Sequence, residues 1–158
     1  MASIQPFLWY NKEAEQAAKF YSGIFPDSHV DRVSALQTDS PSGPAGSVKV
    51  VEFTLMGQPF MAMSAGQMDS FNHAISLIVT CDTQDEIDHY WEALLDGGAP
   101  EQCGWLKDKY GVSWQIAPKR LSELHADPDK TKAKRVGDAM LKMVKFDIAA
   151  LEAAANGT

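Results

Sequence analysis

Glu52 and Cys103 are the side chains whose type and setting could do chemistry unaided. Glu52 stands in "VVEFTL" and shares a strand face with Val50 and Thr54. If that face is interior, the carboxyl is desolvated, keeps its proton more firmly unless paired, and can act as general acid or base. If the face is exposed, Glu52 is an ordinary surface charge. Cys103 precedes "GWLKD" on a strand. A thiol becomes a nucleophile where a base or a positive setting makes it a thiolate. His89, on a helix, and His125, in the tail, show no spacing that brings them to it, so a packed, inert thiol is the simpler expectation. Cys81 closes an apolar strand and reads as core. Lys107 and Asp108 flank a turn as a solvated pair. Trp105 beside them is an aromatic that can cover a ligand at a cavity mouth.

The elements that must position these residues fit into 158 residues, enough for one domain with a full core. Hydrophobic content of 45% and charged content of 22% describe an ordinary globular chain. A net charge of −7 disfavours nucleic acid and anionic membrane surfaces, both of which want a positive footprint. The basic cluster "KTKAKR" (Lys130 to Arg135) spreads around a helix as a solvated face. No apolar run reaches transmembrane length, and "MASIQPFLWY" lacks the basic-then-apolar order of an export signal. The two cysteines point to a reducing cytoplasm rather than a disulfide scaffold.

"IQPFLWY" (Ile4 to Tyr10) is a short strand, and Asn11 can cap the helix that follows. In that helix Ala14, Ala17, Ala18, Tyr21 and Ile24 recur at helical spacing. "HVDRVSALQ" is a strand, "TDSPSGPAGS" a loop, "VKVVEFTL" a strand, "MGQP" a turn and "FMAMSA" the returning strand. The pattern then restarts. "AISLIVTC" is a strand, Thr83 and Glu86 form a capping box, and Ile87, Tyr90, Trp91, Leu94 and Leu95 make an amphipathic stripe. Gly97 and Gly98 end that helix. Residues 101–107 and 112–118 form a hairpin in which Gly111 takes the left-handed conformation.

The halves repeat one another. Phe20, Tyr21, Ile24 and Phe25 fall on Tyr90, Trp91, Leu94 and Leu95. "GQPFMAM" falls on "GVSWQIA", which sets Met61 opposite Gln115. The second half is shorter, so its outer strand is brief or missing. After Pro118 the chain turns helical: Asp127–Pro128 starts a helix, Ala133, Val136, Met140 and Met143 recur along it, and Asp147 can cap a last one. This tail packs on a neighbouring subunit or on its own sheet.

The segments "PFLWYNKEAEQAAKFYSGIFPDS", "GPAGSVKVVEFTLMGQPFMAM", "FNHAISLIVTCDTQDEIDHYWEAL" and "QCGWLKDKYGVSWQIAP" resemble the PhnB-like branch of the vicinal oxygen chelate superfamily, which includes glyoxalases, bleomycin-resistance proteins and extradiol dioxygenases. The resemblance implies an α+β fold of paired βαβββ modules forming a half-open barrel, with a C-terminal helical extension. It implies one PhnB-like domain over 1–158, with module one at about 3–66, module two at about 72–118 and the tail at 119–158. Superfamily members commonly complete their barrels by pairing modules within or between chains, and a homodimer whose site can draw on both subunits is the expectation. The branch often carries the label 3-demethylubiquinone 3-methyltransferase. The sequence shows no glycine-rich strand-to-helix turn to receive S-adenosylmethionine.

Metal-dependent members take one ligand from the first strand and one from the last strand of each module. The corresponding positions here are Gln5, Met61, Ile75 and Gln115, with Pro6 and Ser76 replacing the first-strand pair if the match slips by one. Two amides, a thioether and an alkyl group make a poor divalent site, so no metal and no other cofactor is expected. The alternative is an improvised metal site from Glu52, His73 and Gln115, with His73 on the same strand face as Ile75. Strand alternation sends Gln5, Phe7, Trp9, Met61, Met63, Ser113 and Gln115, with Trp105 at the mouth, toward the cavity, while Trp114 and Ile116 pack beneath helices. These side chains either line a site for a flat or apolar small molecule or fill the barrel as core. Three functional classes follow: a metal-independent small-molecule binder, an enzyme using a divalent ion or Glu52, and a sequestering resistance protein.

Overall fold

Alternation in the strand segments becomes, in a computed structural model that describes residues 1–158, two sheets with one buried face each. The chain divides into two compact units, Met1–Ser70 and Phe71–Thr158. The first holds β1 (Phe7–Tyr10), α1 (Ala14–Ile24), β2 (His29–Ala35), β3 (Lys49–Leu55) and β4 (Gln58–Ser64). Its sheet runs β1-β4-β3-β2, with β1 parallel to β4 and the other pairs antiparallel. Leu8, Tyr10, Val51, Phe53, Phe60 and Ala62 are buried on one face, which α1 covers with Ala14, Ala17, Ala18 and Tyr21. The Tyr10 and Tyr21 hydroxyls meet across this contact at 3.0 Å.

Asn11 does not cap α1. The Ala14 amide instead donates to Ser64 Oγ at 2.9 Å, so the cap comes from the end of β4. The β3–β4 turn is also tighter than the "MGQP" reading. Leu55 pairs with Gln58, and the two turn residues, Met56 and Gly57, both have positive φ (49° and 80°), as a two-residue hairpin requires.

The second unit holds β5 (Leu77–Cys81), α2 (Gln84–Leu95), β6 (Ala99–Pro100), β7 (Trp105–Lys107) and β8 (Ser113–Pro118), in the sheet order β5-β8-β7-β6. Again the first and last strands are parallel, so the duplicated βαβββ unit read from the sequence is present. Ile87, Tyr90, Trp91 and Leu94 form the buried stripe of α2, and Trp114 and Ile116 lie buried on the sheet face it packs on. Thr83 Oγ1 accepts from the Glu86 amide at 3.2 Å, while the Glu86 carboxylate reaches back to the Asp82 amide, one residue earlier than a reciprocal box would place it. The outer strand β6 is two residues long. Neither sheet closes into a barrel.

Four strand readings shorten: β1 begins at Phe7 rather than Ile4, β2 stops at Ala35, and the other two change for reasons the backbone shows. β5 begins at Leu77 because residues 73–75 turn, with the Ala74 amide bound to Asn72 Oδ1. The 101–107 arm breaks at Cys103 and Gly104, whose amides donate to Met143 O at 2.9 Å and Val144 O at 2.7 Å instead of to a strand. The tail thus attaches through backbone. It consists of α3 (Lys119–His125), which no motif above marks, α4 (Lys130–Met140), which Asp129 rather than Asp127 caps and which ends before Met143, and α5 (Ile148–Asn156) capped by Asp147 as anticipated. Its apolar residues Leu124, Val136, Phe146 and Leu151 are buried within this chain. The basic cluster is only partly a solvated face: the Arg135 guanidinium donates to Ala154 O and Ala155 O, at the C-terminal end of α5, where a cation is favourable. No helix is long and apolar enough to cross a membrane.

Candidate functional site

Each sheet has a second face that no helix of its unit covers, and the strand register decides what stands on it. In the first unit one cross-strand row reads Phe7, Met61, Glu52, Arg32 and the next reads Trp9, Met63, Val50, Ser34. Residues directly opposite on neighbouring strands lie about 5 Å apart, so each row is a contiguous strip. Trp9, Met61 and Met63 are half-buried and Phe7 is 49% exposed. The Trp9 indole Nε1 is buried and has no hydrogen-bond partner, while its backbone carbonyl accepts from Gln67 Nε2 at 2.9 Å. Gln5 lies exposed ahead of β1, and the Pro6 carbonyl beside it takes the Met61 amide.

Glu52 is half-buried between Met61 and Arg32 in the first of these rows, ion-paired with Arg32 across the β2–β3 ladder. The pairing holds the proton on Arg32 more firmly, chiefly through their hydrogen bond. Glu52 is therefore a charge-matched carboxylate. Arg32 is not legible as its partner in the sequence, because the pair depends on the register of β2 on β3.

In the second unit the matching row reads Ile78, Gln115, Trp105, and a second row places Ser113 opposite Lys107. Gln115 Nε2 donates to Ser76 Oγ at 2.9 Å. Ser113 is 1% exposed and its hydroxyl has no partner. Its group and Trp9 Nε1 are the buried side-chain polar atoms left unsatisfied, one on each unit. Phe7 stands to Met61 as Ile78 stands to Gln115, so Gln5 corresponds to Ser76. The first-strand position is thus Ser76 rather than Ile75, the one-residue slip that sequence matching left open.

His73 is in a turn, not on β5. Its Nε2 lies 2.9 and 3.0 Å from the two oxygens of Glu101, and its ring tilts against Trp105 at 5.8 Å between centroids. Asp108 is buried and not a solvated partner of Lys107. Its Oδ1 accepts from the Tyr110 and Val112 amides and its Oδ2 from Trp114 Nε1 at 2.9 Å. This carboxylate sets the β7–β8 turn that presents Trp105 and Gln115, and Gly111 in it has φ 89° as expected. An Asp three residues before a turn glycine is a side-chain-to-backbone turn signal that could have found it. Cys103 sits in a turn with φ 57°, its Sγ 3.6 Å from Met140 O. Cys81 is buried, and burial above all pushes its thiol up to about 11.

The family's divalent ion can be tested against these donors. Gln5 and Met61 on one unit and Ser76 and Gln115 on the other supply amides, a thioether and a hydroxyl, with no carboxylate or imidazole. Divalent ions bound by nitrogen and oxygen want both charge and basic donors. Glu52 and His73, the other candidates, are engaged by Arg32 and Glu101. No group of three or more His, Cys, Asp or Glu side chains is gathered to hold an ion. The residues present do not fit the metal.

Two βαβββ units with parallel first and last strands define the vicinal oxygen chelate fold. Solved structures agree: FosX of Listeria monocytogenes, a fosfomycin resistance protein crystallised with Mn(II) and sulfate, aligns with TM-score 0.53 and 15% identity over 73% of this chain and 89% of its own. A Pseudomonas aeruginosa protein aligns with TM-score 0.57 and 20% identity over 75% and 98%. The PhnB protein of Bacillus cereus is 36% identical, with TM-score 0.66, over 74% of this chain and 99% of its own. The family model described as 3-demethylubiquinone-9 3-methyltransferase matches residues 2–117. The chain belongs to this PhnB-like family. No curated protein matches it.

Proposed function

We propose that the chain binds a small, flat or apolar molecule on the helix-free faces of its sheets, without a metal. The observation that carries this reading is the make-up of those faces. Phe7, Trp9, Met61 and Met63 on one and Trp105 and Gln115 on the other offer aromatic and thioether surface, and each face holds one buried polar atom without a partner. An unpaired buried donor costs roughly 1–3 kcal/mol, which a ligand acceptor recovers on binding. Apolar surface with a few polar anchors is the usual composition of a small-molecule site. Methyl transfer, in the family's name, is not part of this reading, because no glycine-rich strand-to-helix turn is available for S-adenosylmethionine. The reading extends to a homodimer, supported by the apolar side chains exposed along and beside the edge strands β1 and β5: Phe7, Ile75 and Ile78. It places the protein in a reducing cytoplasm, in keeping with two free thiols.

Tryptophan fluorescence and melting temperature with a panel of flat aromatics test binding. Quenching lost in Trp9→Phe or Trp105→Phe supports the reading, and a panel with no effect on either signal refutes it. Metal analysis of protein purified without a polyhistidine tag tests the other half. One tightly held equivalent of divalent metal that disappears in His73→Ala would overturn it.

A further inference from the structure

We propose that the Trp105–Gln115 surface selects planar carboxylates conjugated to an aromatic ring over neutral molecules of the same shape. The inference rests on the ligand-binding reading above and adds the charge of the ligand. Lys107 stands opposite Ser113 on the β7–β8 ladder, one step beyond the Trp105–Gln115 pair on the same face. Lys107 is half-buried and forms no ion pair. Ser113 is buried, with a hydroxyl that has found neither donor nor acceptor. A cation and an unused hydroxyl therefore share one end of the face.

The carboxylates nearest in sequence are already engaged and do not compete for that cation. Asp108 is bound by the Tyr110 and Val112 amides and by Trp114 Nε1, on the helix-covered side. Glu101 is bound by His73, whose ring also touches Trp105. Gln115 spends an N–H on Ser76 and keeps its carbonyl free, a suitable neighbour for the positive edge of an aromatic ring and a poor one for an anion. The charged end of a ligand is thus directed to Lys107 and Ser113 and its ring to Trp105. The two rows are two residues apart, about 7 Å along the strands, which matches a fused two-ring carboxylate.

Calorimetric titration of the full chain with 2-naphthoate and with its neutral isostere 2-naphthamide tests this. The acid is expected to bind about tenfold tighter, as a charge-assisted contact implies. Lys107→Met should bring the two within about twofold of each other, while Lys109→Met, in the adjacent turn, leaves the gap intact. Ser113→Ala, which removes only the hydroxyl, should weaken the acid more than the amide, because the bond to a carboxylate is charge-assisted. If the amide binds as tightly as the acid, or the gap survives Lys107→Met, charge selection is wrong while the flat-ligand reading stands. If neither compound binds, charge selection falls, and the flat-ligand reading falls with it only where the whole aromatic panel is also silent.

Discussion

Asp108→Asn removes one charge and almost no volume, so its cost isolates the turn that presents Trp105 and Gln115. The carboxylate accepts two backbone N–H groups on Oδ1 and the Trp114 indole N–H on Oδ2. An asparagine can keep its oxygen toward the backbone only by aiming its amide nitrogen at the indole, donor against donor at 2.9 Å. Flipping it orphans the two backbone amides instead. A buried unsatisfied donor costs about 1–3 kcal/mol, and bonds to a charged acceptor are worth more than bonds to a neutral one, so about 3–5 kcal/mol is expected. At about 2–4 °C per kcal/mol for a chain of this length, that lowers the melting temperature by roughly 10 °C. Urea unfolding followed by tryptophan fluorescence gives the same quantity. In a Trp114→Phe background the donor clash is gone, so the added cost of Asp108→Asn should fall by about 1–2 kcal/mol. A cost below about 1 kcal/mol, or one unchanged by Trp114→Phe, would refute the assignment.

Three further outcomes follow from contacts described above. Gly104 has φ 78°, and a Cβ there would meet Phe146 ring carbons at 2.4 and 2.7 Å, so Gly104→Ala should destabilise by about 2–4 kcal/mol in denaturant melts. Gly111→Ala, at φ 89° in open space, should cost about 1–2 kcal/mol, and equal costs would contradict the Phe146 contact. Glu152 is held below its ordinary range, first by its hydrogen bond to Arg120, and Asp127 likewise by Lys132. A depressed carboxylate stabilises the fold above its unfolded range and loses that contribution as pH falls, so stability should drop below about pH 4, and less steeply in Arg120→Met. Alkylation of the native protein at pH 8.5 should label Cys103 before Cys81, because Cys81 is buried with its thiol raised to about 11, and mass spectrometry reading the reverse order would count against that burial.

Local pattern carried far in this chain, and it stopped where partners come from elsewhere. Alternation alone separated Trp114 and Ile116 from Gln115, and Phe60 from Met61, because side chains on a strand change face at every residue. Thr83 and Asp147 were recognisable as caps since their bonds span three residues. Asn11 looked as good a cap, yet Ser64, fifty residues away, takes that place. Arg32 on Glu52 and Glu101 on His73 are likewise long-range pairs that need a sheet register or a folded turn to be seen. Asp108 resembled a surface charge because composition cannot tell that Trp114 Nε1 lies beneath it. The break at Cys103 was hidden because the tail competes for the backbone of that strand.

That competition has an evolutionary corollary. The tail is gripped through the amides of Cys103 and Gly104, and through Gln84, whose side-chain amide bridges Phe146 O and the Ile148 N–H. Main-chain atoms are the same whatever residue bears them, apart from the N–H that proline lacks. Positions 143 and 144, and 148 for any residue but proline, can therefore change without losing these bonds, whereas Gly104, Gln84 and Phe146 take part through their side chains or the lack of one.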